Sequence, residues 1–456
     1  MPASNASGAS GATLALVRRV RSIRYEEISD DARQAAHHCL LDFLGCALAG
    51  ADDPLVDILV REIASGEGGS QAGLLGRPER ATLQTAALVN GAAGHALDFD
   101  DTHTAMGHPS VPVLPALLAL AESGGASGRS FLAALVAGVE MECRLGLLVG
   151  PGHYAAGFHS TATLGAFGAA AACSHLLDLD EQAWLHAMGL AGTQAAGLKS
   201  GFGTMAKPLH AGRAASAGLL AATLARGGFT AQPAILEVAQ GFASTHACAE
   251  PSVAALDAQP EHLLIRDTLF KYHAACYLTH AAIEAARLLR AQHAVDPEKI
   301  TQIELQVNPM LLDVCNIQEP VTGLEGKFSL RATAAMSFLG RDTGDPALYT
   351  EATLAEPALI ALRDRVRVTA TKELTATQSR VVVEGQSSRR EAMVDTGIPA
   401  ADLTDQGRRL RGKFLLLASP RLGAERAEAL AEAVASIEQA GALENVMRLA
   451  CGSDPT

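Results

Sequence analysis

The stretch from residue 208 to 226 limits the fold more than any other. Ala211, Ala214, Ala215, Gly218 and Ala222 recur there at i, i+3, i+4, i+7 and i+11. That spacing puts them on one face of a helix. Pro208 suits a first helical turn, and Gly227-Gly228 suits a C-terminal stop. A face of Ala and Gly lacks bulk, so another backbone can approach it closely; ordinary helix packing is sufficient reason for such a stripe. The rest of the chain has the same character. Hydrophobic residues make up 48% of the 456 but aromatics only 4%, so the apolar content is mostly Ala, Leu and Val. This favours tightly packed helices over an aromatic-rich β-sandwich.

From about residue 13 to 268 the pattern reads as successive helices. Residues 30–48 carry apolar positions at helical spacing, and 128–148 form another such segment, stopped by Gly150-Pro151-Gly152. Residues 1–12, rich in Ser, Gly and Ala, read as a disordered lead. Near residue 296 the period changes. Ile300 to Val307, Arg365 to Ala370 and Ser379 to Glu384 alternate apolar and polar, as half-buried strands do. Between them 327–340 and 345–364 look helical, and helix returns after Asp402 through Ala450. The expected fold is mostly α. A large helical domain comes from both chain ends (1–268 and 403–456), interrupted by a smaller α+β lid (269–402), with strands confined to about 296–386.

Net charge is −13, which argues against a nucleic-acid partner, since that needs a basic face. It leaves room for an anionic small molecule in a locally positive pocket. The most apolar runs, 112–121 and 161–173, fall short of the roughly 18 residues a membrane span needs. The basic group Arg18, Arg19, Arg21 and Arg24 follows rather than precedes an apolar run, unlike a secretory signal. None of the eight cysteines sits at C-x-x-C spacing, so they read as small buried thiols. The cytoplasm is the expected compartment.

Lysine is scarce, seven against 29 arginines. Lys199, Lys207, Lys271 and Lys327 nevertheless collect in stretches dense in Gly, His or aromatics. A compact charge with a tunable pKa suits acid/base work or a carboxylate clamp. His95, His103 and His108 fall within fourteen positions, around Asp98, Asp100 and Asp101. Read as a helix, His95, Asp98 and Thr102 share a face; the chain then breaks near Gly107, and Ser110 can cap the next helix. Three crowded carboxylates repel unless cations or shared protons relieve them, although a solvated helix end with capping carboxylates has the same look. Further on, His159 precedes a small-residue helix. Gly197 to Gly212 is a Gly-rich loop whose amides and following helix N-terminus favour an anion; its spacing is not that of a P-loop. A magnesium–diphosphate site would want a third acid one turn after Asp101, where Thr102 to Met106 offer none. A His/Asp metal hydrolase would set its cation against His108, His159, Lys207 and Lys271. No metal is expected.

The segments HALDFDDTH…HPS, GFHSTATLG, GLKSGFGTMAKPLHAGRAA, KYHAACYLTH and TGLEGKFSL resemble the MmgE/PrpD family, in the family's order and over nearly the whole chain. That family includes 2-methylcitrate dehydratase, cis-aconitate decarboxylase and iminodisuccinate epimerase. The resemblance implies the interrupted helical domain, a homodimer, and cofactor-free chemistry on small di- or tricarboxylates. It also implies site residues: Asp98, Thr102, His108, His159, Lys207 and Lys271. His103, Lys199, His210 and His273 stand in the same motifs and Tyr154 just ahead of the second; they complete the candidate substrate contacts. Two positions depart from the pattern: His273-Ala274 replaces a Tyr-Pro frequent in the family, and Val314 or Cys315 stands where the decarboxylase branch carries a tyrosine. The Gly197–Gly212 segment is more similar to the epimerase branch.

Dehydration, decarboxylation and epimerisation of such acids share one difficulty. Negative charge develops beside an existing carboxylate, so without a metal, cationic side chains must hold it. The expected function is a metal-independent lyase, a dehydratase or decarboxylase of a small polycarboxylate. The alternatives are an epimerase of a dicarboxylate such as iminodisuccinate and a non-catalytic carboxylate-binding protein.

Overall fold

The small-residue face is used as its composition demands. In the computed structural model, the helix Ala206–Arg226 packs most extensively against Leu83–His95 and Gly165–Leu176. At the first crossing Gly212 lies on the backbone of Leu88, where an added Cβ would come within 2.1 Å of the carbonyl oxygen. At the second, a Cβ on Gly218 would meet Ala169 at 2.4 Å. Glycine is required at both places for lack of space rather than for backbone conformation.

The structure describes residues 11–451 except 248–251, 253, 255, 257–260, 294, 386, 387 and 440. The expected disordered lead thus lies outside the described residues, apart from Gly11 and Ala12, where the first helix begins. The chain divides into two units, 1–270 with 401–456, and 271–400.

The first unit contains the longer helices α1 (Ala12–Arg21), α2 (Asp30–Gly50), α3 (Leu83–His95), α4 (Ser110–Gly124), α5 (Gly128–Ala155), α6 (Gly165–Leu176), α7 (Glu181–Gly192) and α8 (Ala206–Arg226). Side chains of Ser29, Thr82, Ser127 and Asp180 cap α2, α3, α5 and α7. The break read at Gly150-Pro151 is present inside α5, where Gly150 leaves helical geometry at φ 65° and ψ −178°. One expectation fails here. The first unit contains a ladder of two two-residue strands, β1 (Ala72–Gly73) and β2 (Arg80–Ala81), too short for periodicity to reveal.

The second unit holds α9 (His280–His293) and α10 (Leu330–Phe338) against a four-stranded sheet in the order β4-β3-β5-β6. The strands are β3 (Ile300–Val307), β4 (Val366–Ala370), β5 (Gln378–Gly385) and β6 (Arg389–Asp395). Strand β3 pairs parallel with β4 and antiparallel with β5, bringing Leu305 beside Val368 and Val381. The sheet extends beyond the expected limit, because β6 is mostly exposed and lacks the apolar alternation that marked the others. Nor is 345–364 one helix. Asp345, Thr350 and Pro357 start separate short turns there.

After residue 400 the chain rejoins the first unit as α11 (Leu403–Leu422), α12 (Ala424–Ala435) and α13 (Ala442–Ala450), with α11 packed along α2. Among the described residues no helix is long and apolar enough to cross a membrane.

Two glycine-to-alanine substitutions should have opposite signs. Gly212→Ala forces α8 and α3 apart and should cost about 1–3 kcal/mol, the usual penalty of overpacking. Gly412→Ala, inside α11 with nothing within 4 Å of the new methyl, should gain roughly 0.5–1 kcal/mol from backbone entropy. Melting temperatures of the two variants check both directions.

Candidate active site

The carboxylates of the segment after α3 are not on a helix. α3 ends at His95, and Asp98 takes a left-handed φ of 49°, which non-glycine residues adopt rarely. The shared helical face of His95, Asp98 and Thr102 is therefore replaced by a loop. Thr102 pairs its backbone with Leu269, both N–H···O contacts being 2.7 Å. Gly107 at φ 101° then turns the chain under Thr161, whose hydroxyl accepts from His108 N at 3.2 Å. Ser110 is not a cap but the first residue of α4; its hydroxyl and amide both go to Asp101.

Each carboxylate is relieved differently. Asp98 Oδ1 receives Lys207 Nζ at 2.8 Å and faces His108 Nε2 at 3.5 Å. Asp100 is buried and lies against two imidazoles, His95 Nδ1 at 2.8 Å and His108 Nδ1 at 3.2 Å. Burial alone would raise its pKa, but His108 and His95 outweigh that and hold it well below the usual carboxylate range. Among the described residues no cation is paired with Asp101. Burial, with Asp42 and Asp100 nearby, pushes its carboxyl up to about 8.

The tautomers follow from the acceptors. His108 Nδ1 also meets the Asp101 carbonyl at 2.8 Å, so Nδ1 carries a hydrogen and Nε2 is the nitrogen turned towards Asp98. His95 likewise donates through Nδ1, leaving Nε2 buried and, among the described residues, without a hydrogen-bond partner. Burial lowers the His95 pKa to about 4 despite Asp100.

A second wall comes from the Gly-rich segment. Leu198 bridges to Phe158, and His159 N donates to Gly197 O at 3.0 Å. A Cβ on Gly197 would strike Ala162 at 2.5 Å, so only glycine lets the two strands of chain meet. His159 Nδ1 thereby reaches His210 Nδ1, on the second turn of α8, at 3.1 Å. Phe202 stands edge-on to His159 and under Lys207. Burial, then His95, Lys207, His108 and His210, push the His159 pKa far down. These neighbours and its burial hold His159 neutral. The His95 ring lies 4.5 Å from His108 and 6.0 Å from His159, centroid to centroid, and so joins the two walls.

Asp98, His108, His159, Lys207 and His210 thus come together. Other expected residues of the first unit have partners of their own. His103 is buried, with Nε2 at 3.2 Å from Leu264 O and Nδ1 accepting from Ala105 N; its ring is committed to holding the loop and is not an open substrate contact. Lys199 lies over the Tyr154 ring at 3.7 Å and donates to that residue's carbonyl. Lys271 and His273 belong to the second unit, where His273 meets Thr343 and Glu284. His95, Asp100 and Phe202 were not among the expected site residues. His95, Asp98, Asp100 and His108 offer ligand atoms within 4.8 Å of one another. Their mutual hydrogen bonds account for that closeness, and the Lys207 ammonium occupies the Asp98 oxygen a cation would want.

Family comparison agrees with the motifs. The description "MmgE/PrpD N-terminal domain" matches residues 15–252 and "MmgE/PrpD C-terminal domain" residues 273–439. The chain belongs to the MmgE/PrpD family. It is 29% identical to human cis-aconitate decarboxylase over 364 residues, 76% of this chain and 74% of that one. It is also 29% identical to cis-aconitate decarboxylase of Aspergillus terreus over 340 residues, 69% of each. A cis-aconitate decarboxylase-like protein of Aspergillus oryzae is 36% identical over 217 residues, 45% of each.

The protonated state of Asp101 has a measurable consequence. Between its unfolded pKa near 4 and the folded value of about 8, the folded protein keeps a proton that the unfolded chain has released. Its contribution to stability is complete below that window and is lost as pH rises through it. Asp101→Asn removes the titration, so the variant should gain on the wild type in melting temperature between pH 5 and pH 8.5. A difference that stays constant over that range would show Asp101 to be ionised in the fold.

Proposed function

We propose that this protein is a metal-independent lyase of a small di- or tricarboxylate, acting by proton transfer at the carbon beside a carboxylate. The observation that carries this reading is the convergence of the Lys207 ammonium and His108 Nε2 on one carboxylate oxygen, that of Asp98, at 2.8 and 3.5 Å. A substrate carboxylate competing for Lys207 would put its neighbouring carbon within reach of an imidazole whose other nitrogen is fixed. When that proton leaves, charge spreads onto the carboxylate oxygens. A preplaced ammonium in a water-poor site stabilises the developing charge far more than water could. His108 Nε2 is the base of this scheme, with Nδ1–H held by Asp100 and the Asp101 carbonyl. The His159–His210 pair, neutral at rest, relays the second proton. In dehydration the proton taken by His108 Nε2 passes on to the departing hydroxide, which leaves as water. In decarboxylation carbon dioxide leaves with no proton abstracted, and a proton from solvent passes through the pair to the carbanion. Decarboxylation has the added support of relatives named cis-aconitate decarboxylase. Lys271 enters this reading from the resemblance alone.

Epimerisation is the second reading, favoured by the presence of two separately held imidazoles, His108 on Asp100 and His159 on His210. A two-base mechanism needs one on each side of the exchanging carbon. A thermal-shift screen of di- and tricarboxylates followed by proton–deuterium exchange on each hit separates the readings. Loss of water or carbon dioxide supports the lyase, exchange with inversion supports the epimerase, and binding without exchange leaves only a carboxylate-binding protein.

Lys207→Ala and His159→Gln should each lose about a hundredfold or more in turnover, the usual cost of removing such a stabiliser, with little change in melting temperature. Near-normal turnover in both would refute the site assignment. Activity should also survive exhaustive chelation. Its loss, reversed by one divalent ion, would instead point to a metal held by His95, Asp98, Asp100 and His108.

A further inference from the structure

The loop that carries Asp98 and Asp100 is pinned between them by a residue from the far end of the chain. Phe99 is buried, and its carbonyl accepts from Lys413 Nζ at 2.7 Å. The same ammonium meets Asp42 Oδ1 at 2.6 Å and lies 4.0 Å from the centroid of the Phe99 ring. Asp42 is on α2 and Lys413 on α11, and the side chains of both are at least 95% buried. The two helices approach closely here, with a Cβ on Gly45 placed 3.4 Å from Phe414 Cα. Burial works against the Lys413 charge, but Asp42 and Asp100 more than offset it, so the group stays an ammonium.

We propose that Lys413, with Asp42 as its counter-ion, is a positioning residue for the reaction: it fixes the Phe99 carbonyl and thereby sets where Asp98 holds Lys207 and where Asp100 holds His108. The inference rests on the proposed function for the word reaction, and on geometry for the rest. A pair that only stabilised the α2–α11 contact would need no third partner, and an apolar pair would serve it as well. Here the third partner is the backbone oxygen of the residue following Asp98, whose left-handed conformation relaxes unless its neighbours hold it. Flanking Phe99, the two carboxylates that organise the site cannot shift without breaking the Lys413 contact.

The test separates positioning from stability. Lys413→Met leaves Asp42 charged and buried, so it should lower the melting temperature. The double variant Asp42→Leu/Lys413→Met buries no charge and should recover most of that loss, yet the Phe99 carbonyl still lacks its donor. Hydrogen–deuterium exchange of residues 96–108 should therefore be roughly ten- to a hundredfold faster in both variants, as for the loss of one charge-assisted hydrogen bond. Exchange of 130–148 in α5 should be unchanged in the double variant. On any polycarboxylate the wild type turns over, the double variant should lose kcat with KM little altered, and Lys413→Arg should restore part of it. Wild-type protection of 96–108 in the double variant overturns the proposal, as does full kcat. If the wild type turns over no polycarboxylate, the proposed function falls and the exchange data alone decide whether Lys413 holds the loop.

Discussion

Three carboxylates within four residues can be folded together only if each is met by a different kind of partner. Asp98 takes an ammonium, Asp100 takes two imidazoles, and Asp101 keeps its proton and bonds to Ser110. The rest of the site depends on this division. Were Asp101 to ionise beside Asp100, the repulsion would fall on the carboxylate that orients His108 and His95. Were Lys207 absent, Asp98 would lose a full positive charge held 2.8 Å from its carboxylate, and its left-handed backbone would have less to hold it.

The helical packing is what makes such a site affordable. Gly212 and Gly218 let α8 lie directly on the backbones of α3 and α6, so Lys207 and His210 near the start of α8 are carried to the end of α3, where the acidic loop begins. The Gly197 contact does the same for His159. Rigid close packing thus replaces long side chains as the means of bringing charge to the site. It also leaves the imidazoles dry, which explains why His95 and His159 are held neutral while Lys207, ion-paired to Asp98, supplies the positive charge.

Much of this is legible in the sequence, for physical reasons that also mark where legibility stops. The 3.6-residue stripe of α8 and the alternation of β3, β4 and β5 are local signals, and all four elements lie where periodicity puts them. The exposed strand β6 and the two-residue ladder β1–β2 bury too little apolar surface to carry a pattern. In the site, Asp98, His108, His159 and Lys207 stand in dense polar motifs. His103 stands in the same motif, but its ring serves the backbone, a difference that spacing does not encode. Asp42 and Lys413 carry no local signal at all. They lie 371 residues apart in ordinary helical text, and only the return of the chain to its own N-terminal helices gives them a role.

The central claim is that Lys207 is a carboxylate clamp in a site preformed without metal. It is tested most directly by calorimetric titration with the unreactive propane-1,2,3-tricarboxylate in the presence of a chelator, comparing the wild type with Lys207→Ala. The account predicts binding to the wild type that is at least about tenfold weaker in the variant, the loss expected for one charge-assisted contact. Equal affinity in the two proteins, or binding to the wild type only after a divalent ion is added, would contradict it.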